Sequence, residues 1–304
     1  MPPMDRPSAS NDFGSRRERG KTPPFEIGDE AAFDPFAPAR PQKRRFRAVP
    51  MRVILPNLVT LLALCMGLTA IRFAIESQFE VAVIFVIIAA VLDGLDGRIA
   101  RALRGATRFG AELDSLADFV DFGVAPALIL YFWGLNEFKS LGWFAALVFA
   151  IAAALRLARF NVMADEPDRP AWHAHFFTGM PAPAGAIVGL LPIYLSLSIL
   201  DAPHGRLMVL IYIVYVIAVA LLMASRIPHF SGKKIGRVPR EYVIVVMFGA
   251  VACLLLLATF PMEMLIFLSI AYLASIPFAI RKFKAHEVAD AAKLKTPGVV
   301  GQDI

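Results

Sequence analysis

Apolar runs of about 20 residues recur along most of this chain, at roughly 56–75, 81–102, 116–135, 141–160, 183–200, 207–225, 242–260 and 262–280. Each is long enough to cross a hydrocarbon core of about 30 Å as a helix. The runs are continuously apolar rather than alternating with a period of two, which excludes a β-barrel. A soluble enzyme is excluded too, because 58% of the 304 residues are hydrophobic, only 18% are charged, and the mean hydropathy is +0.62. The expected fold class is therefore all-α: a polytopic helical membrane protein with about eight transmembrane helices. Cys65 and Cys253 both fall inside apolar runs, so the sequence predicts no disulfide framework and reads them as ordinary core residues.

Residues 1–52 differ sharply from the rest. They are rich in Pro, Arg, Asp and Gly, show no apolar period, and include the basic run Pro41-Gln42-Lys43-Arg44-Arg45-Phe46-Arg47. The expectation is a disordered cytoplasmic arm rather than a secretory signal, since about fifty polar residues precede the first apolar run. Its basic end would sit against anionic headgroups at about 1 kcal/mol per cation, or serve only to set topology. The other cations support the same orientation: 28 of the 31 Lys and Arg fall on one side of the expected spans, and only Arg72, Lys139 and Arg206 on the other. By the positive-inside rule, that split predicts an even number of spans with both termini in the cytoplasm.

A group of acids interrupts this apolar text. The second run ends in Asp93-Gly94-Leu95-Asp96-Gly97-Arg98-Ile99-Ala100-Arg101, and Gly110-Ala111-Glu112-Leu113-Asp114-Ser115-Leu116-Ala117-Asp118 follows. An acid at a membrane helix centre costs about 2.5–3.5 kcal/mol, so a cluster of them reads as functional. Helical spacing puts Asp93, Asp96, Gly97, Ala100 and Arg101 on one stripe, and Gly110, Asp114 and Asp118 on a stripe of the next helix. A short turn between the helices would bring the stripes face to face, so that four carboxylates converge at the cytoplasmic boundary. Hard oxygen ligands of this kind suit Mg²⁺ or Mn²⁺, and a pair of such ions suits a diphosphate. Gly97, Ala100 and Gly110 leave a smooth groove for a large flat group, and Arg101 can neutralise phosphate charge. The plainer alternative is helix-packing glycines with interfacial acids paired to Arg98, Arg101 and Arg104.

At these residues the chain resembles the CDP-alcohol phosphotransferase family, whose signature is Asp-x2-Asp-Gly-x2-Ala-Arg-x8-Gly-x3-Asp-x3-Asp. All eight defined positions are filled, by Asp93, Asp96, Gly97, Ala100, Arg101, Gly110, Asp114 and Asp118. The flanking text is similar to that of the family's membrane-integral bacterial phosphatidylserine synthases: Leu55-Pro56-Asn57-Leu58-Val59-Thr60, Phe122-Gly123-Val124-Ala125-Pro126, Leu155-Arg156-Leu157-Ala158-Arg159-Phe160-Asn161 and Phe176-Phe177-Thr178-Gly179-Met180-Pro181-Ala182-Pro183. The resemblance implies the CDP-alcohol phosphotransferase fold and transfer of a phosphatidyl group from CDP-diacylglycerol to L-serine, with release of CMP. It also implies Mg²⁺ or Mn²⁺ as cofactor, two ions, held by Asp93, Asp96, Asp114 and Asp118, with Asp118 also the general base. Gly97, Ala100, Arg101 and Gly110 would form the CDP site. Asn57 and Thr60 would add contacts to the nucleotide, or else mark only a helix start after Pro56. Asp121 departs from the expected pattern of an uncharged small or polar residue; it either adds charge to the metal site or faces the cytoplasm.

On this reading the catalytic transmembrane core spans 53–200, further helices span 201–282, and a cytoplasmic tail spans 283–304. The location implied is a bacterial inner membrane with the active site on the cytoplasmic side. Membrane lipids are expected partners, a homodimer is allowed, and no nucleic acid is expected. The shared signature names the donor but not the acceptor. Arg156 and Arg159, three residues apart, are candidates for the serine carboxylate, with interfacial anchoring as their alternative. Asn161 would add an orienting contact, whereas His173 and His175 read as loop residues beside Trp172 rather than ligands. Two other readings compete: a family member using choline or a polyol phosphate, and a cation-coupled transporter. Against the transporter, the acids sit at one boundary and no second half of the chain repeats them.

Overall fold

The computed structural model describes residues 50–164, 176–200, 205–230 and 242–295, all within one compact unit, residues 48–304. Nearly all of the expected basic arm, His173 and His175, the loop at 231–241 and the end of the tail lie outside the described residues. Helix α1 (Met51–Ile75) and helix α2 (Phe79–Ala102) form an antiparallel hairpin through a tight connection in which Ser77 takes a positive φ. The buried stripe of α1 is Pro56, Thr60, Ala63, Gly67, Ala70 and Ala74, and α2 sets Ala82, Val83, Val86 and Ala89 among its buried residues. Small residues on both helices let the backbones approach closely, which is how helices associate where lipid removes the hydrophobic drive.

The chain leaves α2 through a Schellman turn. Arg104 adopts φ 50°, its N–H reaches the Arg101 carbonyl at 3.3 Å, and the Gly105 N–H reaches the Ala100 carbonyl at 3.0 Å. Gly105 lies so close to α1 that a Cβ there would run into the Arg52 carbonyl oxygen. Thr107 then caps α3 (Arg108–Phe119), its hydroxyl accepting from the Gly110 N–H at 3.0 Å. After Phe119 the helix widens into a single π-turn at Val120–Val124 before α4 (Ala125–Trp133). Pro126, which has no N–H to continue the ladder, follows that turn directly. One 26-residue stretch, Arg108–Trp133, thus corresponds to the third apolar run, is long and apolar enough to cross a membrane, and begins eight residues earlier than the expected 116.

The remaining described elements are α5 (Lys139–Ala164), α6 (Ala182–Gly189), α7 (Leu191–Leu197), α8 (Arg206–Ala224), α9 (Val243–Thr259) and α10 (Pro261–Lys295). Five stretches are long and apolar enough to cross a membrane, so the chain is an integral membrane protein: Met51–Ile75, Arg108–Trp133, Leu135–Met163, Arg206–Ala224 and Pro261–Phe283. The expected count of about eight is not reached on length and apolarity alone. The other three apolar runs fold as α2, which carries Asp93, Asp96 and Arg98; as the broken pair α6 and α7; and as the 17-residue α9.

The break in the fifth run has a definite cause. Pro192 cannot donate to the Val188 carbonyl, and the Tyr215 hydroxyl of α8 donates to that carbonyl instead, at 2.7 Å. Large apolar side chains such as Leu58, Phe144, Leu155, Val214 and Leu221 are exposed on the outside, as a lipid-facing surface requires. Cys65 and Cys253 are exposed as well, which corrects their reading as core residues: they sit on helix faces that no other described element covers. The all-α expectation holds apart from two three-residue strands, β1 (Phe176–Thr178) and β2 (Pro228–Phe230), paired antiparallel with Thr178 opposite Pro228. Gly179, at φ +84°, extends that link by donating its N–H to the Ile227 carbonyl at 2.9 Å.

Tyr215→Phe should lower stability by about 1 kcal/mol, because it leaves the Val188 carbonyl without its donor in an apolar setting. Thermal unfolding of the detergent-solubilised protein measures this. An unchanged midpoint would mean that the carbonyl is satisfied in another way.

Candidate active site

The turn between α2 and α3 does what the spacing predicts. Oxygens of Asp93, Asp114 and Asp118 lie within 4.8 Å of one another, and the Asp93 and Asp118 carboxylates are within hydrogen-bonding reach. Asp96 faces the same cluster but is held apart from the tight trio. It is 4% exposed, its Oδ2 accepts from the Thr60 hydroxyl at 2.5 Å, and it interacts electrostatically with Asp93 and Asp114. Among the described residues the recorded ion pair is the distant Arg72–Glu76, so no Lys or Arg of the described chain neutralises these acids by direct pairing. Three convergent carboxylates with only oxygen donors suit a hard divalent cation, and the charge they leave uncompensated is what such an ion would balance.

A pocket of about 260 Å³ opens beside the trio. Every residue expected to hold the nucleotide lines it: Asn57, Thr60, Gly97, Ala100, Arg101 and Gly110, with Asp96 and Asp114 in the same wall. A Cβ on Gly110 would lie 2.8 Å from the Asn57 Oδ1, so the glycine is what admits that side chain. Thr60 differs from its expected role in one respect: its hydroxyl is directed to Asp96, so it orients an acid as well as lining the pocket. Sequence reasoning missed Pro56, Gly105, Ala106, Thr107 and Ala111, which also line the cavity. A helix-capping signal at Thr107 was legible. The closeness of Gly105 to the Arg52 carbonyl was not, because it depends on how α1 packs.

The two arginines of α5 part company. Arg156 stacks over the Phe160 ring at 5.3 Å and interacts electrostatically with Asp118 and Asp93, and with Tyr272 of α10. Arg159 turns away from the trio. Its Nη1 donates to the Ala224 and Ser225 carbonyls at 2.8 and 3.1 Å, satisfying the C-terminal end of α8. Asn161 donates to the Ser115 hydroxyl at 2.9 Å, bracing α5 against α3. Asp121 does not face the cytoplasm: it is 1% exposed, in the π-turn, against Gly67 of α1.

A helical membrane protein with an acid trio beside a nucleotide-sized pocket defines a class, the membrane-embedded transferases that act on activated diphosphates. Comparison with known proteins narrows it. The family model for CDP-alcohol phosphatidyltransferase matches residues 53–224. The chain is 42% identical to a CDP-diacylglycerol–serine O-phosphatidyltransferase of Mycobacterium leprae over 264 residues, 84% of each chain. It is 34% identical to the Helicobacter pylori protein of the same name, over 64% of this chain and 79% of that one. With the Methanocaldococcus jannaschii protein of that name the identity is 38%, over 59% of this chain and 87% of the other. The chain belongs to the CDP-alcohol phosphatidyltransferase family.

Two glycines in the pocket should respond oppositely to alanine. Gly105→Ala forces a methyl against backbone and should cost about 2 kcal/mol or more, whereas a Cβ on Gly97 meets only the Arg101 Nη1, at 3.6 Å. Gly97→Ala should therefore keep or slightly raise the melting temperature, through helix propensity, while weakening CDP binding by narrowing the groove. Melting curves and CDP titration of both variants test the pair.

Proposed function

We propose that this chain transfers the phosphatidyl group of CDP-diacylglycerol to the hydroxyl of L-serine, giving phosphatidylserine and CMP. The observation that carries this reading is the placement of the acid trio against a pocket lined by the whole expected nucleotide set. The names of the relatives support serine as acceptor. In the reaction, a bond forms between the serine oxygen and the phosphorus that bears the diacylglycerol. The bond from that phosphorus to the bridging oxygen breaks, and CMP leaves with that oxygen.

The donor side is the work of α1, α2 and the start of α3. Gly97, Ala100 and Gly110 leave room for the cytidine against the backbone, Asn57 and Thr60 border it, and Arg101 faces the phosphates. Asp93, Asp96, Asp114 and Asp118 would hold Mg²⁺ or Mn²⁺, two ions in the proposal, and the geometry suits Asp93, Asp114 and Asp118 as the closest set. Such ions, when bound, neutralise charge developing on the diphosphate. Thr60 fixes the orientation of Asp96. Asp118 is the proposed general base: it lies one turn beyond Asp114, next to Arg156, and accepts the serine proton as the hydroxyl attacks.

Arg156 is the better of the two arginines for the serine carboxylate, because Arg159 already serves the end of α8. The catalytic core of 53–200 is thus completed from outside by α8, which anchors Arg159, and by α10, which brings Tyr272 beside Arg156. The proposed location is a bacterial inner membrane with both termini and the site on the cytoplasmic side, supported by the 28-to-3 division of cations. Lipids would cover the exposed apolar faces, and a second copy of the chain fits the same proposal.

Release of CMP from CDP-diacylglycerol by the purified protein, with serine, choline and a polyol phosphate offered in turn, tests the reading; turnover with serine alone is expected. In the same assay Asp93→Asn should lose both turnover and metal-dependent CDP-lipid affinity, whereas Asp118→Asn should lose turnover by about 100-fold or more and keep much of the affinity. Equal loss of affinity in both variants would make Asp118 chiefly a ligand.

Arg156→Ala should raise the KM for serine about tenfold or more with little change in the KM for CDP-diacylglycerol, the mark of a lost carboxylate contact. Arg159→Ala should register chiefly as a lower melting temperature, since it uncaps α8. A selective rise in serine KM for Arg159→Ala instead would return that residue to the acceptor site.

A further inference from the structure

Asp121 is the one buried acid among the described residues of this region that the donor reading does not use. Its side chain is 1% exposed and its Oδ1 makes no hydrogen bond. A buried carboxylate without a cation is costly in any protein and more so in a bundle that lipid surrounds. The fold nonetheless makes room for it. Gly67 faces the carboxylate, and any Cβ at that position would run into the Asp121 Oδ1. The π-turn that begins at Val120 also sets its direction.

Among the described residues the charged group that acts on Asp121 is Asp93, another acid, so the local field there draws a cation rather than supplying one. Thr60, Ala63 and Gly67 lie on one buried stripe of α1, which leads from the pocket wall down to Asp121 past small side chains.

We infer that Asp121 receives the α-ammonium of the acceptor, an inference that rests on serine being the acceptor. Serine brings three groups: a hydroxyl, a carboxylate and an ammonium. The first is assigned to Asp118 and the second to Arg156, which interacts with Asp118 from α5. Asp121 follows Asp118 by three residues, and positions so related on a helix hold their Cβ atoms about 5–6 Å apart. A molecule with its hydroxyl and ammonium on adjacent carbons is of a size to reach two residues so placed. The same carboxylate repels the phosphate of a polyol phosphate acceptor, so Asp121 selects by charge in both directions.

The test compares the KM for serine with the inhibition constant of 3-hydroxypropionate, which is serine without its ammonium, in wild type and Asp121→Asn. The expected result is a rise in serine KM of roughly 10- to 100-fold, with the inhibition constant and the KM for CDP-diacylglycerol moving by less than about threefold. Equal losses for both acceptor-site molecules, an unchanged serine KM, or a loss of donor affinity would overturn the assignment. Should Asp121→Asn fail to fold, Gly67→Ala replaces it, because the added methyl displaces the carboxylate without removing its charge; it too should weaken serine selectively, and wild-type discrimination in that variant would overturn the inference. If the wild-type protein releases no CMP with serine, it is the serine reading itself that fails, whatever Asp121 does.

Discussion

The close approach of α1, α2 and α3 is the constraint on which the rest of this molecule depends. Carboxylates on two different helices converge only if those helices meet with almost nothing between them, and the sequence provides for that at each contact. Alanines and Gly67 line the α1 seam, Gly105 lets the connecting turn rest on the Arg52 carbonyl, and Gly110 admits Asn57. The Schellman turn at Arg104 and Gly105 and the Thr107 cap fix the direction in which α3 departs. Once those are set, the distance between Asp93 and the pair Asp114 and Asp118 is no longer adjustable.

What the convergence produces is a concentration of like charge in a poorly solvated place. In a soluble protein, nearby lysines would neutralise it. Here Arg156 stacks on Phe160 and reaches the cluster only electrostatically, while Asp96 is steadied by a hydroxyl rather than by a charge. The site is thereby left with an unmet demand for cations, which is the physical condition for binding metal, and for holding a donor whose phosphates would otherwise be repelled by the same acids.

The later helices act on the site without carrying its signature. Arg159 joins α5 to the end of α8, the short strands tie the segments after α5 and α8 together, and α10 sets Tyr272 near Arg156. Breaks in the helices serve the same end. Pro192 divides one apolar run into α6 and α7, and Tyr215 repairs the carbonyl it orphans; Pro126 follows a π-turn that points Asp121 inward.

Much of this was legible from the sequence, because helical period and motif spacing are local properties. The stripes bearing Asp93, Asp96, Gly97, Ala100 and Arg101, and Gly110, Asp114 and Asp118, follow from 3.6 residues per turn, and one pocket gathers the residues that the family resemblance proposes for the nucleotide. The membrane character followed in the same way from run length and apolarity. Tertiary structure alone decided the rest: that Asp96 binds Thr60 while the other three acids crowd together, that Arg156 faces the cluster and Arg159 caps another helix, that Cys65 lies outside, and that Asp121 is buried against Gly67. Two arginines three residues apart look alike in sequence because period fixes only the face of a helix. Which neighbour that face meets depends on the packing of helices far away in the chain.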